Sequence, residues 1–157
     1  MNDSIKRNSP RVLFAFAAVP LMVGVSQVVQ PRHDTAPARA SRTVWDSVYS
    51  VAQAARGESL YAKSCARCHG ASLSGADESP PLAGGAFLGN WNGLPLSDLQ
   101  TRIRTTMPSD SVGIYDRQLV TDVMAHLLKA NGFPPGPAAL PTDLDSLKDI
   151  VIRTGKP

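Results

Sequence analysis

Cys65-Ala66-Arg67-Cys68-His69 is the densest run of reactive side chains in this sequence, and its two cysteines are the only ones in the chain. Two thiols three residues apart, with a histidine directly after the second, read as an attachment site for covalent haem. At a helix end each thiol can form a thioether with one haem vinyl group, and the next residue can offer its imidazole to the iron. Competing chemistries fit less well. A thioredoxin-like dithiol needs a strand–helix–strand setting, and no strand pattern precedes the motif. Zinc needs four ligands; beyond the two cysteines and His69, the chain offers only His126, far along, and His33, near the start. A disulfide across two intervening residues would explain neither His69 nor the loose sequence that follows.

An iron held by His69 takes a sixth ligand or keeps an open site. A thioether suits electron transfer, because it holds the ferrous state well and raises the potential. Among the four methionines, Met1 and Met22 lie near the N-terminus, and Met124 falls in an apolar helical stripe and reads as core. Met107 differs. It closes a predicted helix in Thr105-Thr106-Met107-Pro108, about 40 residues after His69, so the chain can wrap a cofactor and return. Met107 is the candidate distal ligand.

Three helices are expected to position these groups. The first runs from about Val51 to Cys65, where Ser50 and Gln53 have capping-box spacing. The second runs from about Asp98 to Thr106, with Ser97 and Gln100 repeating that spacing and Pro108 ending it. The third runs from about Arg117 to Ala130, capped by Asp116 and closed by Asn131-Gly132. Its Leu119, Val120, Val123, Met124, Leu127 and Leu128 recur at helical spacing, so one face is core. Gly70 to Pro95 shows no regular pattern. So long an irregular stretch is unusual in a compact domain unless something else organises it, and a large cofactor would.

Taken in order, these features resemble the class I c-type cytochromes. The resemblance covers roughly residues 44–133. It rests on Gly57 with Tyr61, the haem motif, the segment Pro80-Pro81-Leu82-Ala83-Gly84, and a Met107-Pro108 loop before an amphipathic last helix. It implies an all-α cytochrome c fold, with three to four main helices wrapped around one covalent haem c. It also implies that the first and last helices cross at Gly57, with Tyr61 beside it and Val123, Met124 and Leu127 opposite. By the same resemblance, the Pro80 carbonyl accepts a hydrogen bond from the His69 imidazole, and the Trp91 indole donates to a haem propionate. Cys65 and Cys68 would hold the haem, with His69 and Met107 as the axial ligands. Two departures stand out. His126 replaces an aromatic common in relatives, and reads as a helix-interface residue or, if Met107 moves, an alternative ligand. Residues 134–157 form a Pro-rich extension, with Leu144, Leu147, Ile150 and Ile152 available to pack on the body or on a partner.

The start of the chain reads as an export segment. Lys6, Arg7 and Arg11 precede an apolar run from Val12 to Val29. Ala38-Arg39-Ala40 is an A-x-A cleavage site, while the run itself is near the lower limit for a membrane span. Residues 1–40 are thus a cleaved signal or a retained anchor, with residues 12–29 as the tether. Covalent haem is attached after export in bacteria, so the expected location is the periplasm, soluble or anchored to the inner membrane. The formal charge of +3 belongs wholly to this segment; residues 41–157 carry 11 basic and 11 acidic side chains. The basic balance is therefore no argument for nucleic acid.

The expected activity is one-electron transfer between redox proteins, without catalysis. Two other readings stay open: an electron-accepting subunit of a periplasmic dehydrogenase complex, and an open-site haem sensor or peroxidase if Met107 does not ligate. In the first, Val44 to Tyr49 and the C-terminal extension would be docking elements.

Overall fold

Helix capping organises the body of the chain, but not always as the spacing suggests. The computed structural model describes residues 42–156. Helix α1 spans Val51–Ser64, and the extended Ser50 accepts a hydrogen bond from the Gln53 backbone N–H. This satisfies one of the donors that a helix start leaves free. The reciprocal half of the capping box does not form. Gln53 is fully buried, its Nε2 donating to Leu140 O at 3.1 Å while its Oε1 accepts from Leu140 N at 2.6 Å. Helix α4, Leu96–Thr106, corrects the second expected box in the same way. It starts two residues earlier, after Pro95, so Ser97 lies inside the first turn. Gln100 is buried, and its Nε2 donates to Thr121 Oγ1 and to Thr142 O, both at 3.0 Å. Both glutamines clamp distant backbone instead of capping their own helices.

Helix α5, Arg117–Ala130, keeps its expected cap, with Asp116 accepting from Leu119 N at 2.7 Å. It crosses α1 at Gly57. A Cβ there would sit 1.8 Å from Asp122 O and 3.1 Å from the His126 Cβ, so only glycine permits the approach. The crossing itself is as expected, but its contact is corrected: Gly57 meets the Asp122 backbone and His126. Val123 and Leu127 instead line the cavity described below.

Two further helices lie where the sequence shows no pattern. The short α2, Ala66–His69, carries the cysteine motif, and α3 spans Gly85–Trp91. Three glycines in and before α3 mask its periodicity; Phe87, only 2% exposed, anchors it. Asn131, at the end of α5, fixes its approach. Asn131 Oδ1 accepts from Gly84 N at 2.9 Å, and its Nδ2 donates to Leu82 O at 3.1 Å.

The extension packs on the body. Leu140, Leu147, Ile150 and Ile152 are buried, and a one-turn helix, α6, covers Leu144–Leu147. The strands β1, Arg42–Thr43, and β2, Ile150–Val151, pair in parallel, with Arg42 opposite Ile150. Val44, Val48 and Tyr49 are core residues. Tyr49 Oη donates to Phe133 O at 2.6 Å, and Trp45 meets the Phe133 ring edge-on. These two segments, read from sequence as docking elements, bury most of their apolar side chains on this same body; Leu144, expected to pack with them, is instead 36% exposed. Ile152 also brackets the residues after α3, accepting from Gly93 N at 2.8 Å and donating to Leu94 O at 2.9 Å. No helix among the described residues is long and apolar enough to cross a membrane. The export segment lies outside the described residues.

Candidate functional site

Helices α1, α3, α4 and α5 and the segments between them surround a cavity of about 680 Å³, within the roughly 300–1,000 Å³ usual for small-molecule and cofactor sites. Its floor is apolar: Leu82, Phe87, Leu99, Ile103, Val123 and Leu127. The elements bring the expected site residues to it together, because Cys65, Cys68, His69, Pro80, Trp91 and Met107 all line this one space.

Each reaches it by a local device. The turn from α1 into α2 is tight, with the Cys65 N–H bonded to Tyr61 O and the Cys68 and His69 N–H groups to Cys65 O. Gly70 then takes a left-handed φ of 76°, and its carbonyl accepts from Tyr61 Oη at 2.6 Å. His69 is 8% exposed, and its Nδ1 lies 2.9 Å from Pro80 O. A carbonyl only accepts, so this contact puts a proton on Nδ1, and in the neutral ring Nε2 is then the nitrogen free to bind a metal. A ring held in this way is oriented and made a better donor to a metal. Met107 is the C-cap of α4, extended, with its N–H on Ile103 O at 2.9 Å. Trp91 ends α3 beside Phe87, the ring centres 6.3 Å apart.

No disulfide joins Cys65 and Cys68. Burial, with a smaller contribution from Cys68, pushes the Cys65 thiol up to about 11. That is the reverse of a catalytic or redox cysteine, whose thiolate is stabilised. Two unbridged thiols beside an oriented imidazole, on a cavity with apolar walls, fit a covalently attached haem.

His126 is not among the cavity-lining residues. It is buried between α5 and α1, its ring centre 5.3 Å from that of Tyr61 and its Nδ1 without a hydrogen-bond partner. The interface reading of this residue therefore agrees with the geometry, and nothing there brings it to the iron site. Sequence reasoning missed two ties across the cavity mouth. Tyr115 Oη donates to Ser64 O at 3.3 Å, and Arg67 forms an ion pair with Asp110. Neither pair has a spacing that marks it, since 51 and 43 residues separate the partners.

Residues 52–127, just under half of the chain, match the family model described as "Cytochrome C oxidase, cbb3-type, subunit III". The match takes in the cysteine motif, Met107 and most of α5. Among solved structures, the chain is similar to one in the crystal structure of the sulfane dehydrogenase SoxCD from Paracoccus pantotrophus. The identity is 22% and the TM-score 0.45, over 82% of this chain and 68% of that one. No curated protein sequence matches the chain.

Proposed function

For a chain that carries a mono-haem c-type cytochrome domain, with covalent haem c as its cofactor and electron transfer as its role, we propose a one-electron carrier with His69 and Met107 as the axial ligands. The observation that carries this reading is that both side chains line one cavity from different elements, with His69 Nδ1 already committed to the Pro80 carbonyl. When bound, haem c supplies a reversible ferric–ferrous couple. Cys65 and Cys68 hold it through thioethers. Pro80 O keeps the His69 ring in one tautomer and orientation through both oxidation states. Leu82, Phe87, Leu99 and Ile103 exclude water, so the surroundings rearrange little when one electron enters or leaves. The Trp91 indole, which lines the same cavity, would donate to a propionate. With His69 and Met107 both holding the iron, no position would be left for a substrate, which fits a carrier and not a catalyst.

Its partners are other redox proteins, met through the small, short-lived contacts such exchange uses. The balanced charge of residues 41–157 gives little long-range steering. The basic and apolar start of the sequence supports delivery to the periplasmic side, and a haem-loaded cytoplasmic pool in cell fractions would overturn that.

The optical spectrum of the holoprotein tests the ligation. The expected result is a low-spin spectrum with a weak far-red thioether-to-iron band, lost in Met107→Ala, and slow carbon monoxide binding that becomes fast in that variant. A high-spin ferric spectrum of the unaltered protein would remove Met107 from the iron and favour an open-site sensor or peroxidase.

A further inference from the structure

The segment after Met107, residues 108–116, lines the cavity with Pro108, Ser109 and Tyr115 and leads to the start of α5. Between its half-buried ends, Pro108 and Tyr115, its apolar side chains do not hold it down: Val112 is 55% exposed and Ile114 63%. Gly113 takes a left-handed φ of 83°, and the one internal backbone bond, Ser111 N to Pro108 O at 3.0 Å, only closes a turn. Two polar ties fix the segment to the haem-attachment turn. At the far end Tyr115 Oη bonds Ser64 O. Near Met107, Asp110 pairs with Arg67, the residue between the two cysteines. Each group holds the other in its charged form, the carboxyl below its usual range and the guanidinium above, chiefly through their shared hydrogen bond.

We propose that Arg67 and Asp110 are positioning residues for Met107, their ion pair strapping the distal loop to the haem-attachment turn and setting how often the methionine leaves the iron. The proposal rests on Met107 being the distal ligand. The strap joins the haem-attachment turn to the distal loop across 43 residues of chain, so with the Tyr115–Ser64 bond it acts on access to the sixth position. Both side chains are more than half exposed. The strap is therefore weak and salt-sensitive, and it modulates opening instead of locking it.

Carbon monoxide binding to the ferrous holoprotein counts the openings, because the gas must wait for the thioether to depart. In low salt, Asp110→Asn, which keeps the shape and removes the charge, should bind carbon monoxide about two- to fivefold faster, the range an exposed pair supports. Asp110→Glu should stay near the unaltered protein, and Arg67→Ala should match Asp110→Asn. About 0.5 M salt should raise the unaltered protein to the rate of the variants and leave theirs unchanged. Equal rates for the unaltered protein, Asp110→Asn and Asp110→Glu in low salt, with Met107→Ala fast, would overturn the strap while leaving the distal ligand in place. If Met107→Ala itself neither loses the far-red band nor binds the gas faster, the ligand assignment fails, and the strap with it.

Discussion

The crossing of α1 on α5 and the cavity wall between Ser64 and Tyr115 are held by different means. At the crossing, backbone lies on backbone at Gly57, and Ala54, Val120, Met124, Ala125 and Leu128 are at most 1% exposed. Its buried Asp122 carboxylate is fully engaged, by Arg56 Nε and NH2 at 3.0 and 3.2 Å and by Gln118 Nε2 at 2.9 Å. Apart from α4, the wall has only short helices, left-handed glycines at 70, 75, 84, 93 and 113, and apolar side chains turned to a cavity. One region completes its packing with the chain's own atoms. The other is shaped for a group the chain does not encode, and anything that binds only the folded form stabilises it there.

The largest expected effect breaks the first region. Gly57→Val sets a branched side chain against the Asp122 carbonyl, where no flexible atom can yield. It should cost more than ~4 kcal/mol and leave little folded holoprotein, as read by haem content and thermal unfolding. Normal folding of this variant would show that the crossing is not set by backbone approach.

Next comes the clamp beside it. Gln53→Ala leaves Leu140 N and O without their partner in the interior and should cost about 2–3 kcal/mol in denaturant unfolding, since each orphaned group carries a desolvation penalty. A loss under ~0.5 kcal/mol, within the scatter of surface changes, would mean that the tail does not depend on the clamp.

Loosening the wall from outside it, at the end of α5, should act differently. Asn131→Ala removes the ties to Gly84 and Leu82, at about 1 kcal/mol. Its effect on amide exchange should concentrate at residues 82–92 and leave Ala54 to Tyr61 protected. Equal loosening of both regions would erase the distinction between them.

The smallest effect is a pH dependence within the crossing. Burial disfavours the His126 imidazolium and holds its pKa below the ordinary value; Glu58 opposes this and Lys129 adds to it. The unfolded chain therefore takes up a proton at this position before the folded one does. Stability should fall as pH drops below about 6.5 and level off once the folded form is protonated too. His126→Phe should flatten that part of the unfolding profile; an unchanged profile would assign the slope to other groups.

The parts of this protein that were legible in its sequence are those that local chemistry writes down. Cys65, Cys68 and His69 are adjacent, so their joint role needs no fold to be recognised. Asp116 caps α5 through its own next turn, and the stripe from Leu119 to Leu128 follows the helical period. Pro80 and Trp91 could be named only through the resemblance. Where partners are far apart in the chain, local reading gave wrong answers. Ser50-x-x-Gln53 and Ser97-x-x-Gln100 have the spacing of capping boxes, and Ser50 does cap α1, but each glutamine lies within reach of tail backbone that must be satisfied in the interior, and burial outweighs the local bond.

Spacing and side-chain type alone determined that this chain has a haem-attachment turn, a methionine able to return to it, and two long helices that bury one face. Only the tertiary structure decided that Leu140, Leu147, Ile150 and Ile152 of the extension belong to the core, that α3 forms in a glycine-rich stretch once Phe87 has a place to bury, and that Arg67 meets Asp110. The reason is physical: a helix cap or a stripe is encoded within a few residues, whereas a buried amide or a cross-chain ion pair exists only after distant segments have been brought together.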